Sequence, residues 1–153
     1  MKRIISIIFL LSIMSIMTFD SLAGNSYGGW MFREGNRCTQ GMRVGQINKD
    51  IKRLYKNDEA RSVDVLSLPA GSTITVYDDK EGRWWKDDWA EITVKKNFLG
   101  WICVETFEKS GWYGPNQEIY VTYHKMTSKG NLDGKVSFVR YYFPPVYYNL
   151  NTY

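Results

Sequence analysis

Apolar and polar residues alternate along most of the chain from residue 63 onward. The alternation forms five short runs, at Ile74 and Val76, Ile92 and Val94, Ile102 and Val104, Ile119 and Val121, and Val136 and Phe138. Each run is bounded by Gly, Pro, Asn or Asp, which is typical of short antiparallel strands that bury one face. The pattern therefore predicts an all-β domain, either a sandwich or a barrel.

One segment has helical rather than strand-like spacing. Its apolar residues recur at i, i+4, i+7 and i+8, and they are Ile47, Ile51, Leu54 and Tyr55. This spacing predicts one short helix of no more than about three turns. No linker, low-complexity run or change in composition marks a second domain.

The first 23 residues have the pattern of a secretory signal. Basic residues at the start are followed by an almost wholly apolar run over 4–17 and by small residues up to Ala23. The apolar run is shorter than the ~20 residues that span a bilayer, although a membrane anchor is the alternative. We therefore expect residues 1–23 to be removed, leaving a secreted or periplasmic protein without a membrane span. Residues 24–143 would form one domain and residues 144–153 an aromatic, proline-containing tail.

The cysteines and the net charge bear on the presence of a disulfide and on the kind of partner. Cys38 and Cys103 both follow the predicted signal, and such a pair in an exported protein predicts a disulfide. Two free core thiols, or a reactive Cys103 acting with His124, are the alternatives. The formal net charge is +4, and the basic residues are scattered among acids, which argues against a nucleic-acid partner.

Signatures of catalysis are sparse. The chain has a single histidine and lacks metal-binding His and Cys spacings, a nucleophile elbow and a phosphate-binding glycine loop. Carboxylates near Trp84, Trp85 and Trp89 could imitate a glycosidase cleft, which is the enzymatic alternative. The sequence favours a non-enzymatic protein whose partner is an unidentified protein or a cell-envelope glycan, with the aromatic segment 141–148 as one candidate contact surface.

The most informative motif is Phe107-Glu-Lys-Ser-Gly-Trp112-Tyr-Gly114. Its spacing predicts a folded-over β-hairpin in which Phe107 packs across the turn and Trp112 pins it. Gly114 would take the positive φ that a side chain resists. Downstream, Asp133-Gly-Lys-Val-Ser137 places a serine just before a strand, where it can hydrogen-bond the backbone of the folded hairpin.

These two signals resemble the Greek-key repeat of the microbial βγ-crystallins. In that family a Tyr/Phe/Trp-x4-Tyr/Phe/Trp-x-Gly hairpin is followed by an Asn/Asp-Asn/Asp-x-x-Ser/Thr-Ser segment that enters the last strand. A further copy of the second signal runs from Asn57 to Ser62, and a third, thirty positions later, starts at Asp88. The resemblance implies an all-β, antiparallel Greek-key β-sandwich with one short helix before the last strand. Its structural motif residues would be Phe107, Trp112, Gly114, Ser137 and Ser62.

Calcium is the ligand that the resemblance brings forward. Sites of this family take a side-chain oxygen from the Ser/Thr position and carbonyl or carboxylate oxygens from the partner motif, because calcium requires 6–8 oxygen ligands. Arg61, Ile92 and Gly134 each depart from the pattern, which implies at most one weak site. The candidate ligands are Asp87, Asp88, Glu91, Asp133 and Ser137.

A second resemblance covers residues 65–106. The strand after Leu68-Pro-Ala-Gly, the strand from Trp89 and the strand from Gly100 look like a bacterial SH3-type module, which typically recognises cell-wall peptides. A secreted protease inhibitor or a toxin with the Greek-key fold is a further alternative. All of these describe a non-enzymatic β-domain, which would act either by binding or as a durable structural protein.

Overall fold

The computed structural model describes residues 28–38, 43–47, 52–54, 58–126 and 131–145. Over these ranges the chain is nearly all β, with a single three-residue 3-10 turn at Asn36–Cys38. The described strands are β1 (Gly29–Arg33), β2 (Arg43–Ile47), β3 (Lys52–Leu54), β4 (Ser62–Leu66), β5 (Thr73–Tyr77), β6 (Trp89–Val94), β7 (Trp101–Val104), β8 (Gly111–Tyr113), β9 (Ile119–His124) and β10 (Phe138–Tyr142). The described part of the chain contains no helix with the length and apolar character to cross a membrane.

The strands form two antiparallel five-stranded sheets, which confirms the predicted all-β sandwich. The first sheet has the order β3-β2-β1-β4-β7, and the second has the order β10-β5-β6-β9-β8. In the first sheet, β1 to β4 form a Greek key, because β4 returns to lie beside β1 after two hairpin connections. The strands β5, β6, β9 and β10 repeat this order in the second sheet. We call β1–β4 the first unit and β5–β10 the second unit.

One strand of the second unit belongs to the first sheet. β7 leaves the second unit and pairs with β4, with Val104 opposite Val63 and Ile102 opposite Val65. The two units are therefore joined by backbone hydrogen bonds as well as by their shared core.

Alternation of apolar and polar positions builds that core between the sheets. The inward residues of β5, β6 and β9 are buried, as the pattern predicts, and burial of each such side chain contributes roughly 1.5–3 kcal/mol. Trp30, Phe32 and Phe107 are the largest fully buried side chains among the described residues. The rings of Phe32 and Phe107 lie 6.2 Å apart and link the first unit to the second.

The predicted disulfide is confirmed. Cys38 is bonded to Cys103, with their Cα atoms 6.0 Å apart. Cys38 ends the 3-10 turn after β1 and Cys103 lies on β7, so the bond fixes the strand that the second unit contributes to the first sheet. The two alternatives, free thiols or a reactive Cys103, are thereby excluded in this state of the protein.

The helix predicted from Ile47 to Tyr55 is wrong. Residues 52–54 form β3, which pairs antiparallel with β2, while residues 48–51 and 55 lie outside the described ranges. Four spaced apolar residues do not distinguish the helical period from the strand period. Pairing with β2 favours the strand over residues 52–54.

The hairpin predicted between Phe107 and Gly114 is also wrong. β7 ends at Val104 in the first sheet and β8 begins at Gly111 in the second, so no hairpin joins them. Phe107 is a core residue, and Trp112 is 49% exposed, with its ring 4.8 Å from that of Tyr120.

The positive φ predicted for Gly114 is observed at +89°. This glycine serves the turn between β8 and β9, where a Cβ would meet the Glu118 carboxylate and approach Ile102 Cδ1 to 2.9 Å.

Residues 65–106 do not form a separate module. The first and last strands of this stretch, β4 and β7, pair with each other in the first sheet, whereas β5 and β6 pair in the second sheet. Each of β4, β5 and β6 also pairs with a strand outside this range. The SH3-type resemblance therefore describes a stretch that spans both sheets.

Candidate functional site

Two folded-over connections define the site, one in each unit. In the first unit the Ser62 hydroxyl donates to the Gly35 carbonyl and accepts from the Cys38 amide, which ties the chain after β1 to the start of β4. In the second unit Gly82 has φ +65°, and a Cβ there would lie 2.5 Å from the Phe138 ring at the start of β10. The folded hairpin of the second unit is therefore β5–β6.

Corresponding backbone bonds show which residues of the two units are equivalent. The Arg61 amide donates to the Arg33 carbonyl at 2.9 Å, and the Ser137 amide donates to the Tyr77 carbonyl at 2.8 Å. Arg61 and Ser137 thus occupy the same place, directly before the last strand of each unit. Ser137 contacts the hairpin after Tyr77 through its backbone amide, whereas its hydroxyl, expected to bond a hairpin backbone, donates to the Asp58 carboxylate and the Lys135 carbonyl.

The loops before β4 and β10 exchange hydrogen bonds with each other. The Asp58 amide donates to the Val136 carbonyl and the Gly134 amide donates to the Ala60 carbonyl, each at 3.2 Å. Asp58 and Gly134 both have positive φ, +60° and +70°. This reciprocal junction brings the last-strand segment of each unit against its counterpart.

One side of the junction is rich in oxygen atoms. The Ser137 hydroxyl of the second unit hydrogen-bonds the Asp58 carboxylate of the first at 2.5 Å. Burial and the nearby charge of Asp87, against the opposing charge of Lys135, raise the pKa of Asp78 to about 6, and Asp58 adds to the increase. We call Asp58, Asp78 and Ser137 the acidic arm.

The other side carries an ion pair in the equivalent position. Arg61 Nη1 lies 2.7 Å from Asp133 Oδ2, and we call this pair the basic arm. A Cβ on Gly134 would lie 3.0 Å from Arg61 Nη2, so glycine there supplies both the positive φ and the space for the guanidinium. Asp133 Oδ1 is buried and, among the described residues, has no hydrogen-bond partner.

The five residues expected to bind calcium are not brought together. Ser137 lies in the acidic arm and Asp133 in the basic arm. Glu91 lies on the exposed face of β6, where its carboxylate accepts from the Thr93 hydroxyl. Asp87 accepts from the Asp88 amide and acts on the acidic arm only through its charge.

Asp88 has a structural place. It is fully buried, and its two oxygens accept from the Tyr123 hydroxyl at 2.6 Å and from the Met126 amide at 2.8 Å. Burial and this hydrogen bond to the carboxylate raise the pKa of Tyr123. Asp88 therefore secures the end of β9 against the start of β6.

Two members of the acidic arm were missing from the sequence prediction. Asp58 belongs to the Asn57–Ser62 copy of the motif, and its second position is a carboxylate that the motif itself could have flagged. Asp78 follows the folded-hairpin aromatic Tyr77 directly, but its proximity to Asp58 depends on the junction between units. That proximity has no signature in the sequence.

The alternative sites do not assemble. Among the described residues, the group with three ligand-type side chains close enough to hold a metal is Cys38, Asp64 and Cys103, whose sulfurs are consumed by the disulfide. Near the tryptophans, Asp79 and Glu81 are both paired with Arg83, which holds the pKa of Asp79 well below its usual range. Of the carboxylates in the glycosidase alternative, Glu81 is thus paired with Arg83, and Asp88 is held by the Tyr123 hydroxyl and the Met126 amide.

Comparison with known proteins does not assign the chain. No family model, curated protein or solved structure matches it. Function is therefore inferred from the contacts of the described residues.

Proposed function

We propose that the chain is an exported, non-enzymatic Greek-key domain similar to the microbial βγ-crystallins, and that it binds calcium weakly at a single site, the acidic arm. The observation that carries this proposal is the contact of Ser137 with Asp58. It joins the Ser/Thr position of one motif copy to a carboxylate of the other, which is the ligand arrangement that the resemblance implies.

The donor set suits a hard cation such as calcium. The acidic arm offers a hydroxyl and two carboxylates, all of them oxygen ligands of the kind that calcium prefers. The carboxyl group of Asp78 resists ionisation in its present surroundings, and a bound cation would relieve that effect by offsetting the neighbouring negative charges. With so few ligands in place, we expect a dissociation constant of ~10⁻⁴ M or weaker.

The basic arm accounts for the single site. A guanidinium occupies the place where a second hydroxyl ligand would lie, and it already neutralises Asp133. A cation there would face a like charge at close range, which disfavours binding.

Export is supported by two independent features. Residues 1–23 have the signal pattern, although they lie outside the described ranges, and the Cys38–Cys103 disulfide fits an oxidising compartment. A secreted or periplasmic location follows as part of the proposal. A binding role agrees with the engagement of Asp79, Glu81 and Asp88 in structural contacts.

The test is thermal unfolding and calorimetric titration with calcium chloride. A ligand that binds only the folded state raises the melting temperature in proportion to occupancy, so the midpoint should be nearly constant at micromolar calcium and rise at several millimolar. Asp58→Asn and Ser137→Ala should abolish the rise, whereas the control Glu91→Gln should retain it. A rise that survives both arm substitutions, or no rise in the wild type at 10 mM as the titration end point, about a hundredfold above ~10⁻⁴ M, would refute the site.

A further inference from the structure

The outer face of the second sheet has an unusual composition. The strand register aligns its outward side chains in rows that cross the sheet. The first row is Tyr142, Thr73, Thr93, Tyr120 and Trp112. The second row is Arg140, Thr75, Glu91 and Thr122. We call these two rows the threonine face.

Aromatic rings stand at both ends of the first row. Trp112 is 49% exposed and packs edge-on against Tyr120, while Tyr142, on the opposite edge of the sheet, is 55% exposed. Between them the row contains threonine hydroxyls, each able to donate and to accept a hydrogen bond. A third row of stacked aromatics borders this surface, with the rings of Trp89 and His124 3.7 Å apart.

The charge of the threonine face is balanced. It carries one carboxylate, Glu91, and one guanidinium, Arg140, whose charge lies over the rings of Tyr77 and Phe138. A nucleic acid or an anionic membrane would require an excess of basic residues. Stable protein interfaces are typically apolar at their centre, whereas the centre here is made of hydroxyl groups.

We propose that the threonine face binds an uncharged polysaccharide chain, laid across the strands along the first row. Sugar rings present apolar C–H faces that pack on aromatic rings, and hydroxyl groups that exchange hydrogen bonds with threonine, Glu91 and Arg140. The neutral balance of the face complements a chain without charge. This inference rests on the proposed binding role of the domain and names the chemical class of its partner.

The dimensions of the face fit such a chain. Four steps between neighbouring strands of about 4.8 Å each place Tyr142 and Trp112 about 19 Å apart, the length of about four linked pyranose rings. The exposed rings would therefore stack on the two ends of a four-sugar segment. The threonines would contact the sugars between them.

The described side chains of the first sheet, those of β1, β4 and β7, form no equivalent surface. Its outer face holds the ion pair between Arg33 and Asp64, 2.8 Å apart, and the disulfide at Cys103. It nevertheless displays Trp101, which is 54% exposed. Trp101 is thus an exposed tryptophan of similar accessibility to Trp112 on a surface without the hydroxyl rows, and it provides a matched control.

The experiment measures depletion of the disulfide-bonded protein from solution by cellulose, chitin and β-1,3-glucan, with polygalacturonate and anionic phospholipid vesicles as charged probes. We expect retention by at least one neutral polysaccharide. Trp112→Ala and Tyr142→Ala should each weaken binding about tenfold, because each removes one of the two exposed aromatic anchors, whereas Trp101→Ala should change it less than about twofold. Thr93→Val, which removes a hydroxyl at constant size, should weaken binding without loss of folding.

Several results would overturn the proposal. They are retention by none of the neutral polysaccharides, retention only by the charged probes, equal losses for Trp112→Ala and Trp101→Ala, and full affinity in Thr93→Val. Calcium-induced stabilisation measured on the same preparations separates this proposal from the calcium site. A protein that responds to calcium but ignores the polysaccharides refutes the threonine face alone, and the converse result refutes the acidic arm alone.

Discussion

Arg61 and Asp133 form an ion pair across the junction of the two Greek-key units, with Nη1 and Oδ2 2.7 Å apart. The two residues are separated by most of the domain in sequence, and they meet because the loops before β4 and β10 exchange backbone hydrogen bonds. The pair is partly exposed, so its contribution to the free energy of unfolding is about 1 kcal/mol or less. Its larger effect is on ligand preference, since it places a positive charge where the equivalent position of the other unit has a hydroxyl.

Replacing that cation should therefore change calcium binding. Arg61→Ser would supply a hydroxyl and leave the Asp133 carboxylate free, so we expect a second calcium equivalent in calorimetric titration and a larger rise in melting temperature at several millimolar calcium. Without calcium the variant should lose about 1 kcal/mol or less. Lys80→Ser, at an exposed position on the β5–β6 connection, is the control for the loss of one positive charge. Unchanged stoichiometry in Arg61→Ser would contradict the equivalence of the two arms.

The acidic arm should make stability fall as pH rises from about 4 to about 6. Asp78 has a pKa of about 6 in the folded protein against an ordinary 3.8, so the folded state holds more protons than the unfolded chain between these values. In calcium-free buffer, Asp78→Asn should exceed the wild type in free energy of unfolding by about 1 kcal/mol at pH 7, a value reduced by solvent screening. The two proteins should nearly coincide at pH 3.5, where Asp78 is protonated in the folded state and mostly protonated in the unfolded chain. The charges that act on Asp78 are those of Asp87, Lys135, Asp58 and Asp88. An undiminished difference at pH 3.5 would assign the effect to packing instead.

A comparison of two glycines with positive φ distinguishes the energetic cost of backbone strain from the cost of a steric clash. Gly114 and Gly100 have φ of +89° and +94°, but a Cβ at Gly100 would meet nothing within 4 Å, whereas one at Gly114 would collide with Glu118 and Ile102. Gly100→Ala should cost about 1 kcal/mol from the backbone alone, and Gly114→Ala about 2–4 kcal/mol. Urea unfolding of both variants checks the difference. Equal losses would show that Glu118 and Ile102 move aside freely.

The disulfide should contribute a large part of the stability. It closes a loop with a sequence separation of 65, for which the loss of chain entropy in the unfolded state predicts about 4 kcal/mol. The double variant Cys38→Ser/Cys103→Ser should show this loss in guanidinium unfolding, and added reductant should leave the variant unaffected while destabilising the wild type. Reaction of the native, unreduced protein with a thiol reagent would contradict the bond.

The sequence predicted the sandwich and most of its core, because alternation states which side chains of a strand are buried. It did not predict which strands are neighbours. The spacing of Phe107 and Trp112 satisfied a hairpin motif, yet their strands lie in different sheets, and the true folded hairpin after Tyr77 has its glycine and tryptophan in the reverse order. The predicted thirty-residue repeat is also wrong, because Arg61 and Ser137, which occupy equivalent positions in the two units, are much farther apart in sequence than thirty positions.

The candidate site was predicted only in part. Ser137 and Asp133 were recognised from the motif, while Asp78 could not be, because its surroundings come from segments that meet only through the junction. Asp88 and Glu91 matched the motif by position, but one became buried beneath β9 and the other faced outward. A ligand motif specifies which residue types occur at which positions. The topology of the fold decides which of these residues lie close together in space.

The pairing of β7 with β4 in the first sheet affects how the chain can be cut into fragments. A fragment that ends between β4 and β5 would keep a complete Greek key but would expose the β4 edge and carry an unpaired Cys38. Such a fragment should associate with other copies or remain unfolded, whereas co-expression with the complementary fragment should restore a two-chain protein held by β7 and the disulfide. The connection between β4 and β5 is thus a position at which the chain could be cut and the two fragments reassembled. We expect the smallest part of the chain that folds on its own to contain both units.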